Sequence, residues 1–442
     1  MTMLAITEAD RLLATLLFDL GVVAAFALAF GALARRLGQP PVIGEIVAGL
    51  VLGPSLLGLL PGDLDALLFP ADVRPYLQML ANVALVLFMF GIGFEVDVGR
   101  ALRSGHATLW VTVCAVVVPV LAAVVAAPLL WAQHPPPSDG VEMWQFTAFL
   151  GVAFSVTAFP VLGRLLADSG LMRTELGSMA LSVAALTDLV AWTALAALMA
   201  SIGVTGKASS APLMVLLIGG IFALLVVVRK LLLRALATTW SDRHGPAGVG
   251  LLVLVALSLC AAATTRLGLH PALGAFALGV ACAPRRRAKD ASLDEAGDEP
   301  DSEASRRIEQ AAHTLASAGL VLVPLYFVVT GLKVDVTRLG VDHVLEICGL
   351  LVLVSASKIL GGVLGATRAG FDHARRFALG LLLNTRGLTE LIVLDIGRSA
   401  GVIDGRLFTA LVIVAILTTI MTTPAMPLAL RMGRRQAARA AG

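Results

Sequence analysis

Long apolar stretches run through this chain, separated by short polar connections. A helix needs about 20 predominantly apolar residues to cross a bilayer, and thirteen stretches approach or exceed that length. They lie near residues 12–34, 41–59, 77–93, 107–131, 144–166, 176–202, 211–234, 247–266, 270–284, 312–332, 344–366, 375–398 and 405–430. The second and ninth are short. The pattern predicts an all-α polytopic membrane protein with thirteen transmembrane spans.

Composition points to the same class. Apolar residues make up 58% of the chain and charged residues 14%, whereas a soluble domain has about 25% charged residues. Nothing in the sequence pairs a nucleophile with a base or groups metal ligands, so we expect neither an enzyme nor a cofactor. A nucleic-acid partner is not expected either.

The positive charges in the connections predict the orientation. With the N-terminus outside, the inward connections and the C-terminal tail hold 23 Lys and Arg residues, and the outward connections hold 8. We therefore expect a protein of the cell inner (cytoplasmic) membrane with its C-terminus in the cytoplasm. Residues 285–309 are almost devoid of apolar groups and predict a disordered cytoplasmic linker. Residues 432–442 would form a short cytoplasmic tail.

The chain also repeats itself. The stretch RLGQPPVIGEIVAGLVLGP at 36–54 matches RLGLHPALGAFALGVACAP at 266–284, and GFEVDVGR at 93–100 matches GLKVDVTR at 331–338. The second copy begins seven spans after the first, and an odd shift inverts it in the membrane. Inverted repeats of spans 1–6 and 8–13 are typical of alternating-access transporters, whose substrate site lies near the midplane.

Two spans at matched positions of the repeat are interrupted by polar residues. Span 5 carries FSVTAFP, from Phe154 to Pro160, and span 12 carries LNTRGLTEL, from Leu383 to Leu391. Pro160 alone would predict an ordinary kink. Irregular backbone at membrane depth is tolerated where it lines a cavity or packs in protein, so the matched pair indicates a transport site.

Asp188 lies in the middle of span 6, in LSVAALTDLVAW. A charged side chain at the bilayer centre costs at least ~2.5–3.5 kcal/mol, so such a carboxylate is a functional candidate. We interpret Asp188 as the binding site for a proton and a monovalent cation; a buried ion pair that joins two helices is the structural alternative. The repeat places Thr419 at the equivalent point. The neighbouring Thr187 either coordinates the ion or hydrogen-bonds within its helix.

Three further charges are expected to support this site. Lys358, in span 11, is too deep to reach an interface, so it must lose its proton or meet a partner, either Asp188 or the carbonyl ends of the broken helices. Arg386 and Glu390 are four residues apart in span 12. We interpret them as a mutual ion pair, with Arg386 also facing helix carbonyl ends; a direct transport role for Glu390 is the alternative.

Four stretches carry a family resemblance. They are PPVIGEIVAGLVLGPS, FSVTAFPVLGRLL, the small-residue run ending in DLVAW, and LLLNTRGLTELIVLDIG. Together they resemble the monovalent cation:proton antiporter superfamily. The most similar branch is the second, which holds bacterial sodium or potassium/proton antiporters and plant cation/proton exchangers.

The resemblance implies a homodimer in which each chain has two domains. A dimer domain would comprise residues 1–105 and 241–342, a mobile core residues 106–203 and 343–431, and a linker helix residues 204–240. Spans 5 and 12 would unwind where they cross, at Ser155, Pro160, Thr385 and Gly387.

The resemblance also assigns roles in the site. Asp188 would bind the ion, Lys358 would hold the basic position of span 11, and Thr157 and Thr385 would help to coordinate or position the ion. Many members have Asp or Asn immediately before the binding aspartate, where this chain has Thr187.

A single carboxylate can hold a proton or a cation but not both, which favours exchange of sodium or potassium for protons by alternating access. If Asp188 alone titrates, one proton exchanges for one cation; if Lys358 also releases a proton, two do. Two other functions stay open on the same scaffold. One is a potassium-efflux, channel-like protein, and the other is a proton-coupled exporter of an organic or ionophore-bound cation.

Overall fold

The computed structural model describes residues 8–62, 64–95, 105–168, 171, 174–203, 239–267, 270–283, 300–338 and 340–440. Within these ranges the regular structure is helical, with no strand. The α-helices are α1 Glu8–Arg36, α2 Pro41–Leu52, α3 Leu64–Leu68, α4 Arg74–Glu95, α5 Gly105–Gln133, α6 Met143–Ser155, α7 Phe159–Asp168, α8 Glu175–Gly203, α9 Thr239–Arg266, α10 Pro271–Cys282, α11 Pro300–Gly331, α12 Val341–Gly365, α13 His373–Leu383, α14 Leu388–Ser399 and α15 Gly405–Ala440.

Nine helices among the described residues are long and apolar enough to cross a membrane. They correspond to predicted spans 1–4, 6, 8, 10, 11 and 13. Spans 5 and 12 each form two short helices, span 9 forms the 12-residue helix α10, and span 7, at 211–234, lies outside the described residues. The count of thirteen spans stays a prediction.

Large apolar side chains cover the outer faces of several long helices. Leu28 is 71% exposed, Val125 76% and Leu345 76%. Exposed apolar surface on this scale is unfavourable in water and matches a hydrocarbon environment. The molecule is a multi-pass membrane protein.

Two predicted polar segments contain helix. The last ten residues of the expected linker, 300–309, form the start of α11, and residues 284–299 lie outside the described part. The expected tail is helical to Ala440. Both segments contain the strong helix formers Ala and Arg, with Glu in the first and Gln in the second. Pro300 stands at the first position of α11, where proline is favoured.

Extensive helix-to-helix packing in the described residues falls into two groups. The first group contains α1, α2, α4, α9, α10 and α11, and the second contains α5–α8 and α12–α15. The division of the spans into a dimer domain and a mobile core, which the family resemblance implies, stays a prediction.

The repeated glycine motif forms matching contacts inside the first group. An alanine Cβ at Gly49 of α2 would lie 2.2 Å from the Val328 carbonyl oxygen of α11. At Gly279 of α10, it would lie 2.2 Å from the Phe90 carbonyl oxygen of α4. Each copy of the motif therefore brings its helix against a partner from the other half of the sequence. The inverted topology of the repeat stays a prediction.

Candidate functional site

The second group of helices contains two chain breaks. Helix α6 ends at Ser155, residues 156–158 are not helical, and α7 begins at Phe159. Val156, which follows α6, has φ −58° and ψ 139°. Pro160 stands at the second position of α7, where its missing N–H costs no intrahelical hydrogen bond, and it favours extended backbone before it.

The second break separates α13 from α14. Helix α13 ends at Leu383, and α14 begins at Leu388. Gly387 has φ 133°, a conformation that residues with a Cβ rarely adopt. The glycine of the NTRG sequence thus permits the chain to turn into the second half-helix.

The two breaks are hydrogen-bonded to each other. The Ala158 amide donates to the Thr385 carbonyl oxygen at 3.0 Å. The Thr157 hydroxyl donates to the Leu383 carbonyl oxygen at 3.1 Å. Thr157 and Thr385 are 0% and 1% exposed. The crossing is therefore a buried contact between unwound segments.

Two cations cover the carbonyl end of α6. The Lys358 amine donates to the Ser155 carbonyl oxygen and, at 3.2 Å, to that of Ala115 in α5. Arg386 donates to the carbonyl oxygens of Ala153 at 3.1 Å and Phe154 at 2.6 Å. The last carbonyls of a helix have no intrahelical donor and carry partial negative charge, so both cations stabilise an end that hydrocarbon would leave unsatisfied.

Arg386 also pairs with Glu390. Their Nη1 and Oε1 atoms lie 2.6 Å apart, and the side chains are 0% and 2% exposed. Arg386 thus joins the start of α14 to the end of α6, and its guanidinium neutralises a buried carboxylate. This is the mutual pair that the spacing of four residues suggested.

Asp188 lies on α8 without a hydrogen-bond partner. It is 1% exposed, and neither carboxylate oxygen has a partner among the described residues. The groups that act on its charge are the Phe159 backbone amide, at the start of α7, and the Lys358 ammonium. Lys358 thus donates its hydrogen bonds to carbonyl ends while influencing Asp188 electrostatically.

Apolar side chains on both sides of Asp188 along α8 account for its burial. Ala184 and Ala180 lie one and two turns before it on the same face of α8 and belong to an apolar cluster with α13. Trp192 lies one turn after it and belongs to a second apolar cluster. The carboxylate occupies the junction between the two clusters, beside the breaks.

Thr187 and the crossing residues differ in how their polar atoms are used. The Thr187 hydroxyl donates to the Val183 carbonyl oxygen at 2.7 Å, the intrahelical bond that was one of its two interpretations. By contrast, Asn384 Oδ1, Thr385 Oγ1 and Thr389 Oγ1 are buried and have no partner among the described residues. Asn384 and Thr389 had not been named as site residues, although both belong to the polar run of span 12.

A separate charged cluster connects the two groups of helices. Lys333, just after α11, pairs with Asp395 of α14 at 2.6 Å. Tyr326 donates to the same carboxylate at 3.3 Å, and Arg398 donates to the Lys333 carbonyl oxygen at 2.8 Å. A cavity of about 730 Å³ lies beside this contact.

A histidine joins three helix ends elsewhere in the second group. His134 follows α5 and is 2.9 Å from Glu346 of α12 and 3.3 Å from Asp404, which precedes α15. Burial lowers the pKa of His134, but its hydrogen bonds to Asp404 and Glu346 and their charges prevail and raise the pKa to about 9. The described residues contain no group of three or more His, Cys, Asp or Glu side chains that could hold a metal ion.

Residues 21–430 match the family described as sodium/hydrogen exchanger, transmembrane. The chain belongs to this sodium/hydrogen exchanger family. Such a family consists of transporters and not of enzymes.

Named relatives extend the family to cation/proton antiporters of bacteria, plants and yeast. Na(+)/H(+) antiporter NhaS4 of Synechocystis is 33% identical over 411 residues, which cover 92% of this chain and 95% of the relative. Cation/H(+) antiporter 19 of Arabidopsis thaliana is 34% identical, covering 97% of this chain and 51% of that protein. K(+)/H(+) antiporter 1 of Saccharomyces cerevisiae is 30% identical, covering 87% and 44%. The chain thus spans about half of the plant and yeast proteins.

The fold matches that of a solved antiporter. The structure of the sodium proton antiporter MjNhaP1 from Methanocaldococcus jannaschii superimposes with a TM-score of 0.63. The match covers 96% of this chain and 99% of that chain at 14% identity. The match shows that the two proteins share a helical fold.

Proposed function

We propose that this protein exchanges a monovalent cation, sodium or potassium, for protons across the membrane, and that Asp188 binds both. The observation that carries the proposal is a fully buried carboxylate with no hydrogen-bond partner beside two crossed helix breaks. A carboxylate without a direct partner at this depth is costly. A proton or a desolvated cation removes that cost, and the site cannot hold both at once.

Mutual exclusion at one carboxylate gives antiport when the site faces the two sides in turn. When Asp188 holds a proton or a cation, the site is neutral and the core that carries it can move across the membrane. When Asp188 holds neither, its bare negative charge opposes that movement. Lys358 donates its amine hydrogens to two carbonyl oxygens and not to Asp188, so in this proposal Lys358 keeps one protonation state throughout the cycle. We therefore propose one proton per cation, an electroneutral cycle.

The two packing groups provide the parts for alternating access. The second group would move as a core that carries Asp188, Thr157 and Thr385, and the first would form a scaffold and the homodimer contact. In this proposal the protein lies in the inner membrane, and the bias of positive charge supports an orientation with the N-terminus outside. The contacts of Lys333 and of Trp192, whose ring lies 5.6 Å from that of Phe276, would then close the outward side of the interface.

Proteoliposomes that report proton movement test the exchange. Addition of sodium or potassium should move protons in vesicles that contain the wild-type protein and not in vesicles with Asp188→Asn, because an amide cannot cycle a proton. Thr112→Val is the matched control, since its buried hydroxyl donates to the Thr108 carbonyl oxygen one turn before it in α5. Full exchange by Asp188→Asn would contradict the assignment.

The same vesicles separate the alternatives. Cation flux without counter-moving protons would indicate a channel-like efflux protein, and exchange only with bulky organic cations would indicate an exporter of such cations. An imposed membrane potential should leave the rate unchanged if the cycle is electroneutral.

Cross-linking tests the movement between the groups. In a background without the native cysteines, Lys333→Cys and Asp395→Cys joined by a short cleavable thiol cross-linker should stop exchange, and cleavage should restore it. The two single variants with the same reagent are the controls. Undiminished exchange in the fully cross-linked protein would exclude relative movement at this contact.

A further inference from the structure

The cavity of about 730 Å³ beside Lys333 lies between the two groups of helices. The first group lines it with the end of α2, the start of α4 and the end of α11, and the second group with the end of α14 and the start of α15. The proposed orientation places all of these helix ends outside. The volume is within the range of ligand pockets, about 300–1,000 Å³, and a ligand there would contact both groups at once.

Basic side chains outnumber acidic ones among the described residues that line the cavity. The acidic residues are Asp335 and Asp404, and the basic residues are Arg74, Lys333, Arg398 and Arg406. The first group of helices contributes Arg74 and Lys333, and the second contributes Arg398 and Arg406. An excess of positive charge repels a permeant cation and attracts an anion. The cavity therefore suits an anionic ligand and not the exchanged ion.

Two of the arginines are held in place by contacts within the fold. Arg74 Nε donates to the Phe69 carbonyl oxygen at 2.7 Å. Arg398 Nη1 donates to the Lys333 carbonyl oxygen at 2.8 Å, and its guanidinium carbon lies 4.8 Å from the centroid of the Phe408 ring. Guanidinium groups match the geometry of phosphate oxygens, and side chains that are already ordered lose less entropy on binding. These contacts favour a phosphate group as the ligand.

The chain beside the cavity exposes apolar side chains. Pro54 and Phe69 line the cavity. The segment between them carries four leucines that are 48% to 74% exposed, Leu56, Leu59, Leu60 and Leu67. Exposed apolar patches next to polar groups mark sites of membrane contact. A cationic cavity with an apolar rim fits a phospholipid, whose phosphate would enter the cavity while its acyl chains lie against the leucines.

We propose that this cavity binds the phosphate head group of an anionic phospholipid from the outer leaflet, and that the bound lipid slows exchange. Basic pockets between membrane helices bind anionic head groups in this way. Movement of one group of helices against the other would separate Arg398 and Arg406 from Arg74 and Lys333. A ligand that contacts both pairs binds the present arrangement better than any other and increases its population. Binding follows from the cavity alone, whereas the effect on exchange rests on the proposed function.

Thermal unfolding of the purified wild-type protein in a neutral detergent measures binding. At an ionic strength of about 0.15 M, which screens distant charges, short-chain phosphatidylglycerol should raise the Tm. Short-chain phosphatidylcholine, which has no net charge, and inorganic phosphate should raise it much less. Arg74→Gln and Arg406→Gln, one from each group, should each raise the apparent Kd for phosphatidylglycerol about tenfold, as expected for the loss of a charge-assisted hydrogen bond.

Arg266→Gln is the matched control for these variants. Arg266 ends α9 on the side that the proposed orientation places outside, and it is not among the described residues that line the cavity. Its Kd should equal that of the wild type. If Arg74→Gln does not fold because the contact with Phe69 is lost, Arg406→Gln still decides the question, since the Arg406 side chain is exposed.

Proteoliposomes measure the effect on exchange. When half of the protein holds a lipid, the rate in vesicles of phosphatidylcholine and phosphatidylglycerol should be about twofold lower than in phosphatidylcholine alone. The Arg74→Gln, Arg406→Gln double variant should show equal rates in the two kinds of vesicle, and Arg266→Gln should behave as the wild type.

Each failure has a different meaning. Equal Tm increases in the wild type and both cavity variants would overturn the proposal, as would equal increases with phosphatidylcholine and phosphatidylglycerol. An equal increase with inorganic phosphate would overturn the assignment to a lipid. Lipid-dependent Tm with an exchange rate that is the same in both vesicles would overturn the link to movement. A wild-type protein without exchange would overturn the proposed function, and the Tm series would still decide whether the cavity binds the lipid.

Discussion

The break between α6 and α7 and the break between α13 and α14 cross each other, but different groups satisfy their carbonyl ends. At the end of α6, Lys358 and Arg386 donate to three consecutive carbonyl oxygens. At the end of α13, the Leu383 carbonyl accepts from the neutral Thr157 hydroxyl. The two carbonyl ends therefore differ in the charge of the groups that satisfy them.

This difference bears on both cation binding and stability. The positive charges at the end of α6 are committed to carbonyl oxygens and a carboxylate, and they would repel a second cation placed beside them. The break after α13 contains Arg386, but its guanidinium is bound to the carbonyl end of α6 and to Glu390. The comparison predicts that the charged end of α6 contributes more to stability than the neutral end of α13.

The largest expected effect comes from removing Arg386 from the carbonyl end of α6. Arg386→Ala leaves Glu390 buried without a counter-charge, and breaking a buried pair costs about 3–5 kcal/mol. We expect a strongly lowered Tm of the purified protein in detergent. Arg386→Ala combined with Glu390→Gln should recover part of that loss because the orphaned charge is gone. A normal Tm for the single variant would show that the charged end is not structural.

The cluster of His134, Glu346 and Asp404 lies outside both breaks, and its contribution to stability depends on pH. The folded pKa of His134 is about 9, above the ordinary 6.5, so protonated His134 stabilises the fold fully below pH 6.5 and progressively less as pH rises through 9. The difference corresponds to about 3 kcal/mol. Tm should fall over this window in the wild type, and His134→Gln should be less stable at pH 6 and lose the dependence. An identical pH profile in His134→Gln would contradict the cluster's role.

Lys358 is the weaker support of the charged end. Lys358→Met removes a donor from the Ser155 carbonyl, at about 1–3 kcal/mol for the unsatisfied acceptor, but it also removes a desolvated ammonium. We expect a smaller fall in Tm than for Arg386→Ala, with Lys358→Arg near wild type. A larger fall than for Arg386→Ala would reverse the ranking of the two cations.

The smallest effect is expected at the carbonyl end of α13, where the donor is the neutral Thr157 hydroxyl. Thr157→Val removes one hydrogen bond to the Leu383 carbonyl, which is worth about 1 kcal/mol. Thermal unfolding should show only a small decrease, with Thr157→Ser as the matched control. A decrease as large as that of Arg386→Ala would erase the difference between the two breaks.

Much of the architecture could be predicted because apolar length and helix interruptions are local properties. Both breaks could be located from the sequence, because each combines polar residues with a helix-breaking residue, Pro160 in one and Gly387 in the other. The start of α11 within the expected linker could not be found from polarity, since a solvated helix and a disordered segment share low hydrophobicity. Asn384 was visible as a polar residue, but nothing in the sequence distinguished it from its neighbours as unpartnered.

The sequence by itself determined that this is a helical membrane protein with a carboxylate deep in one helix and two matched interruptions, because each depends on the identity of nearby residues. Only the tertiary structure decided which groups meet. Lys358 donates to carbonyl oxygens instead of to Asp188, and Arg386 reaches carbonyls 232 and 233 positions away in the chain. Such contacts depend on the relative height and rotation of packed helices, which residue patterns within one helix do not specify.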